Sequence, residues 1–341
     1  MNKLLLSLII PVYNKEKYLP DCLNSIPEAL CDRMEIILVD DGSSDRSGEM
    51  CDFYAKAHER VAVIHQENRG SAAARSRGTE EACGEYLLFC DADDYYEKGA
   101  LLEISGLLEK YAPDILLFNA YETGIRAEKK KFSPALFEEG FIQDKSRVYD
   151  LFLLTYYLNS MCVKACKREL FLRNPAEEAF RGNLGDDFLE SAPLFKRAQT
   201  IYYTDRPFYD YRIDSGMMRK AHREYYSQYR RVNMEVREIL KEEGIPGLDG
   251  KLAVHLLNAA YGAVIQYRYE KKTDREAINE ISDDRAFRDA FELVKKDISR
   301  YLNRKQRTVI YCVYGKRLLL IRLLVSARRR LDLLQGKYIS R

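Results

Sequence analysis

Leu6-Ser7-Leu8-Ile9-Ile10-Pro11-Val12 runs into Tyr13-Asn14, and Ile36-Ile37-Leu38-Val39 runs into Asp40-Asp41-Gly42-Ser43-Ser44-Asp45. Both stretches are apolar throughout and end abruptly on polar residues. A strand without polar alternation has to be covered on both faces, which is the pattern of a sheet sandwiched between helices. Outward from these two runs the alternation continues. Tyr18 to Ile26 has helical spacing, with Leu19, Cys22, Leu23 and Ile26 on one face. Residues 45–57 read as a helix, 61–65 as a strand, 71–82 as a helix rich in small residues and 86–90 as a strand. Residues 101–111 and 114–119 complete the series as helix and strand. The expectation is an α/β fold with a Rossmann-like, doubly wound, mostly parallel sheet, whose ligands sit beyond the carboxyl ends of the strands.

Beyond residue 120 the pattern changes. Residues 121–220 are irregular, with short aromatic strands at Ile201-Tyr202-Tyr203 and 208–212. Residues 221–341 are helical, over 225–243, 251–270, 285–296 and 317–334. We therefore expect three regions, 1–120, 121–220 and 221–341, the last a helical C-terminal region with a basic amphipathic tail.

Composition narrows the class. Hydrophobic residues make up 46% and charged residues 32% of 341, the balance of a folded globular chain. The net charge of +2 points to no polyanion, and no nucleic-acid recognition module is present. Several of the eight cysteines lie inside apolar runs and read as free buried thiols of a reducing, cytoplasmic compartment. The apolar start at 4–10 is followed by Pro11 and Lys15-Glu16-Lys17 without a small-residue cleavage site, so it reads as a buried strand rather than a secretion signal.

Three polar groups follow strand ends: 11–14, 40–45 and Asp91-Ala92-Asp93-Asp94. A parallel sheet brings such ends to one edge. Clustered carboxylates are hard oxygen donors suited to Mg²⁺ or Mn²⁺, which often take one or two protein carboxylates and complete their shell with substrate phosphate. Alone, Asp91-Ala92-Asp93 reads equally as a turn with solvated acids. Asp45 is expected to cap a helix while Asp41 faces a ligand. Between these ends lie Asn68-Arg69-Gly70 and Ala74-Arg75-Ser76-Arg77, small residues for close packing and arginines to balance the acids.

In order and spacing, the groups at 7–14, 36–45, 68–75 and 89–94 resemble the family 2 glycosyltransferases, which have the GT-A fold. The resemblance is strong over about residues 5–120. It implies a nucleoside-diphosphate sugar donor, a UDP-sugar, and inverting transfer to a hydroxyl of a glycan or lipid-linked acceptor. It implies that Pro11, Tyr13, Asp41, Asn68, Arg75 and Asp91 bind the nucleotide and that Asp93 binds the metal, Mn²⁺ or Mg²⁺. Gly185-Asp186-Asp187-Phe188 stands where the family carries a Glu-Asp pair, which makes Asp187 the catalytic base and puts Asp186 in place of the usual Glu. Outside that context the two acids read as a helix N-terminus matched to its dipole. Residues 209–220 resemble a loop that closes over the donor, with Arg219 or Lys220 on the diphosphate. The setting implied is bacterial capsule, exopolysaccharide or cell-wall assembly.

From Gly315 to Arg341 there are eight basic residues and one acid. Leucines interleaved with these bases suit an interfacial helix on an anionic membrane, at the inner face of the plasma membrane. A helix packed on the protein or in a homo-oligomer reads the same pattern. An NAD-dependent oxidoreductase would need Gly-x-Gly-x-x-Gly after the first strand, where Pro-Val-Tyr-Asn stands. A non-catalytic sugar-nucleotide-binding module would lack the metal or base carboxylates, and both are present.

Overall fold

A computed structural model describes residues 4–26, 33–124, 127–171, 184–213, 222–269 and 275–334. The chain forms two compact units, one from residues 1–145 with 157–216 and one from 146–156 with 217–341.

The first unit is built on a sheet of ten strands: β1 (Leu6–Val12), β2 (Met34–Asp40), β3 (Val61–His65), β4 (Tyr86–Phe89), β5 (Tyr95–Tyr96), β6 (Ile115–Gly124), β7 (Ala127–Lys131), β8 (Gly140–Phe141), β9 (Lys164–Lys167) and β10 (Ile201–Arg212). The order is β3-β2-β1-β4-β9-β6-β10-β5, with β7 beside β6 and β8 beside β10. Strands β3, β2, β1 and β4 are parallel, and β9 is antiparallel between β4 and β6. The chain winds from β1 outward to β3, then crosses back to β4 on the other side of β1. That reversal opens a crevice beyond the carboxyl ends of β1 and β4. Helices α1 (Leu19–Asn24), α2 (Ser47–Ala57), α3 (Ser71–Glu81) and α4 (Ala100–Tyr111) follow the strands in turn.

Local chemistry explains the elements. Every residue of β1 is buried except half-buried Pro11, as the unbroken apolar run requires. Strand β4 stops opposite Ile9, so the N–H that Pro11 lacks falls past the end of that pairing. Gly78 lets α3 lie against the sheet: a Cβ there would come within 2.4 Å of the Ile9 side chain. The aromatic segments at 201–203 and 208–212 are one strand, not two. Register shifts flank Pro207, which interrupts the ladder while the strand continues.

The second unit is helical: α5 (Lys145–Leu154), which begins at the unit boundary, then, after α6 (Asp186–Arg197) of the first unit, α7 (Tyr225–Leu240), α8 (Leu248–Ile265), α9 (Arg275–Asp283), α10 (Arg285–Val294), α11 (Ile298–Tyr301), α12 (Arg304–Tyr314) and α13 (Leu318–Leu334). Sequence pattern singled out neither α5, α9 nor α12. Helix α12 announces itself instead by a capping box, in which Asn303 accepts from the N–H groups of Lys305 and Gln306 and the Gln306 side chain accepts from the Asn303 N–H. The described cysteines are unbridged, and no helix among the described residues is long and apolar enough to cross a membrane.

Candidate active site

The loops after β1 and β2 are sewn together by side chains. Asn14 takes a left-handed φ of +50°, which aims its carboxamide at the neighbouring loop. Its Oδ1 accepts from the N–H groups of Ser44 (2.8 Å) and Asp45 (3.3 Å), and its own N–H donates to Ser43 Oγ (3.1 Å). Asp45 accepts from the Glu16 N–H (3.1 Å) and the Ser47 N–H (2.9 Å), but it stands one residue before Arg46, which takes the N-cap position of α2 in place of the expected Asp45.

Asp41 is buried and fully engaged. It accepts from Gln66 Nε2 (2.7 Å), the Arg69 N–H (2.9 Å) and the Gly70 N–H (2.8 Å). Gly70 has φ +91°, a conformation only glycine adopts without strain, and so turns its N–H onto the carboxylate at the start of α3. Asp41 thus shapes the 68–70 turn that leads into the helix carrying Arg75.

The acids after β4 differ from one another. Asp94 is buried and accepts from Tyr209 Oη (2.9 Å) and the Arg212 N–H (2.7 Å), tying this loop to the end of β10. Burial, then the neighbouring Asp91 and Asp93, push its carboxyl far above the usual range. Asp93 forms an ion pair with Lys15, Nζ to Oδ2 2.5 Å. The Asp91 side chain has no hydrogen-bond donor among the described residues. Burial, then Asp187, raise it to about 7 against the pull of Arg75.

Opposite stands the first turn of α6, entered through Gly185 in the left-handed region. Buried Arg75 reaches three acids there: Asp186 (Nη2 to Oδ2, 2.8 Å), Asp187 (Nη2 to Oδ1, 3.0 Å) and Glu190 (Nε to Oε2, 2.9 Å). Asp186 also accepts from Ser71 Oγ (2.8 Å) and the Asp187 N–H (3.1 Å), and its side chain is only 13% exposed. Asp187 is 36% exposed, and its pKa is raised by desolvation, with Arg75 opposing and Asp186 adding to the rise. One guanidinium cannot neutralise three carboxylates, so Glu190 is driven to about 8, by desolvation first, against Arg75.

Beneath Asp187 lies a fully buried lysine. Lys164 Nζ donates to the carbonyls of Leu158 (2.8 Å), Asn159 (3.1 Å) and Ser160 (2.6 Å) and to Ser191 Oγ (2.7 Å). Burial lowers its pKa to about 8. It fixes the 158–160 backbone against α6; the next residue, Met161, gives its N–H to Asp187.

The structure therefore brings Asp91, Asp93, Arg75 and Asp187 into one electrostatic group, from three separate stretches of chain. Pro11 is half-buried at the end of β1, while Tyr13 and Asn68 are exposed in the loops after β1 and β3. Arg219 and Lys220 lie outside the described residues. Sequence reasoning missed Lys15, Glu190 and Lys164. Only Glu190 left a readable signal, since its spacing of three and four from the acid pair puts it on the same helix face. Asp91 and Asp93, one lacking a donor and the other already paired with a cation, are chemically suited to a hard divalent ion. Among the described residues no three ligating side chains converge, so these residues would supply at most two of its ligands.

A family model described as glycosyl transferase family 2 matches residues 7–172. The chain belongs to glycosyltransferase family 2. Its relatives include the uncharacterized glycosyltransferase EpsJ of Bacillus subtilis, 31% identical over 61% of this chain and 61% of that protein. Another is the glycosyltransferase GlyA of Streptococcus pneumoniae, 28% identical over 63% of this chain. That match spans 32% of GlyA, so this family 2 chain accounts for about a third of that relative's length. The fold is that of S. aureus TarS 1–349, solved in complex with UDP-GlcNAc: TM-score 0.66, 21% identity, 99% of this chain and 93% of that one. The family 2 assignment and this neighbour make the first unit a GT-A domain.

Proposed function

We propose that this glycosyltransferase moves a sugar from a UDP-sugar to a hydroxyl of a glycan or lipid-linked acceptor, with inversion, in bacterial surface-polysaccharide assembly. The observation that carries the reading is Asp187. It is the most exposed of the three acids on Arg75, it faces Asp91 electrostatically, and Lys164 and Met161 hold its surroundings still. An acceptor hydroxyl is a weak nucleophile and needs a positioned base as it attacks. Asp187 takes that proton, while Asp186, committed to Ser71 and Arg75, anchors the turn. Direct attack on the anomeric carbon from the face opposite the nucleotide inverts its configuration.

On the donor side, Tyr13 and Asn68 are the exposed groups for the base, Pro11 and the Asp41-held turn shape the ribose site, and Asp91 and Arg219 complete the donor contacts. Asp93 would hold Mn²⁺ or Mg²⁺, which when bound would offset charge developing on the departing diphosphate. That a structure of the same fold holds UDP-GlcNAc supports the choice of UDP. A panel of nucleotides and nucleotide sugars with and without Mn²⁺ tests the reading by thermal shift. UDP and a UDP-sugar should raise the melting temperature more with the ion than without. No response to any nucleotide would sink it.

The acceptor reading extends to α13. Its Ile321 and Val325 are buried, whereas Leu319 (76%), Leu323 (66%) and Leu331 (50%) are exposed beside exposed Arg322 and Arg330. Exposed leucines rimmed by arginine suit an anionic lipid surface at the cytoplasmic face. Phosphatidylglycerol vesicles should co-sediment the wild-type chain, and Leu319→Glu with Leu323→Glu should abolish this. Equal sedimentation of both would remove the membrane reading, and loss of a dimer in the double variant would assign the face to self-association.

A further inference from the structure

Lys15 has no part in the reaction described above, yet its ammonium sits on the carboxylate proposed for the metal. Its Nζ lies 2.5 Å from Asp93 Oδ2, and both side chains are largely shielded, at 24% and 11% exposure. The stem is anchored: the Lys15 N–H donates to Ser47 Oγ (2.8 Å), and the preceding Asn14 is clamped to Ser43, Ser44 and Asp45. Arg75, across the crevice, is committed to Asp186, Asp187 and Glu190. Lys15 thus balances Asp93 by direct contact, while Arg75 acts on Asp91 through space.

A divalent ion and an ammonium cannot share one carboxylate at contact distance without strong mutual repulsion. Lysine is also the cation best built to move, a compact charge on a flexible four-carbon stem. An incoming diphosphate offers it a new partner. We propose that Lys15 is an exchangeable counter-ion: it occupies Asp93 in the empty enzyme, yields that carboxylate to the divalent cation, and moves onto the nucleotide's diphosphate. The exchange makes ion and nucleotide binding mutually reinforcing, because each removes an obstacle to the other, and such coupling is reciprocal. This proposal rests on the assignment of Asp93 as a metal ligand.

The test is equilibrium binding of Mn²⁺, read as free Mn²⁺ by electron paramagnetic resonance, with and without UDP. For Lys15→Met, Mn²⁺ alone should bind roughly 3- to 10-fold tighter than to wild type, since its competitor is gone. UDP should strengthen Mn²⁺ binding in wild type by at least about fivefold and in Lys15→Met by much less. Lys15→Arg, which restores a cation on Asp93, should return Mn²⁺ affinity toward the wild-type value. If wild type and Lys15→Met bind Mn²⁺ equally while Asp93→Ala does not bind it, the exchange is overturned and the metal assignment survives. If Asp93→Ala binds Mn²⁺ as wild type does, the metal assignment falls and takes the exchange with it.

Discussion

Two strand ends carry the same kind of residue and use it in opposite ways. After β2, Asp41 receives three donors, two of them backbone N–H groups, and is sealed into the turn before α3. After β4, Asp91 receives none among the described residues and is pushed up to about 7, and Asp93 is balanced by one lysine. A satisfied carboxylate supports the fold, whereas an undersatisfied one in a crevice is held ready for a ligand at some cost in stability. Substitutions at the two ends should therefore separate activity from stability.

The largest effect belongs to Asp187, the proposed base, which faces the undersatisfied end. Asp187→Asn should bind UDP like wild type and lose transfer by about 10²–10⁴-fold, the range of a positioned proton acceptor. Steady-state transfer with a matched binding isotherm checks it, and an undiminished rate would move the base to another residue. Next comes the contrast itself. Asp93→Ala should abolish the Mn²⁺ dependence of nucleotide binding while leaving the urea midpoint nearly unchanged. Asp41→Ala should lower stability by about 1–3 kcal/mol, because it removes three charge-assisted hydrogen bonds from the turn before α3, whose part-exposed donors water can partly satisfy. Equal destabilisation by both would erase the distinction drawn between the strand ends.

Sequence reading reached the sheet and the acids but not their assignments. Strands β1, β2 and β4 were legible because near-complete burial demands unbroken apolar runs, and β3, a part-exposed strand at the sheet edge, was marked by Val61, Val63 and Ile64 and matches 61–65 end to end. Helices α9 and α12 were not: α9 is too short and charged to repeat its pattern, and the apolar residues of α12 run together as Val309-Ile310-Tyr311-Cys312-Val313-Tyr314 without a period. Within the site, Asp91, Asp93 and Asp187 could be named from motif position. That Asp41 spends its lone pairs on Gly70 and Arg69, or that Lys15 reaches Asp93 across 78 positions, could not. These are long-range pairings of common residue types, fixed by where the loops meet and by nothing in their local composition.

The smallest predicted effect concerns Glu190, which shares Arg75 with the proposed base, Asp187. Its folded pKa of about 8 lies above the ordinary 4.5, so the fold favours its protonated form. The associated stability is fully present below about pH 4.5 and is lost as pH rises toward 8. Glu190→Gln keeps the hydrogen-bonding shape and removes the titration. The melting temperature of the variant relative to wild type should thus climb by roughly 2–4 °C between pH 5 and pH 8.5. The acid limb of the rate behaves differently. Asp187 must be ionised to act and its pKa is raised, so transfer should fall as pH drops at values above the usual carboxylate range. Over that range Glu190 already holds its proton, so Glu190→Gln should leave the limb where it is. A limb that moved by a full pH unit would mean that Glu190 is ionised at neutral pH, with Arg75 divided three ways rather than two.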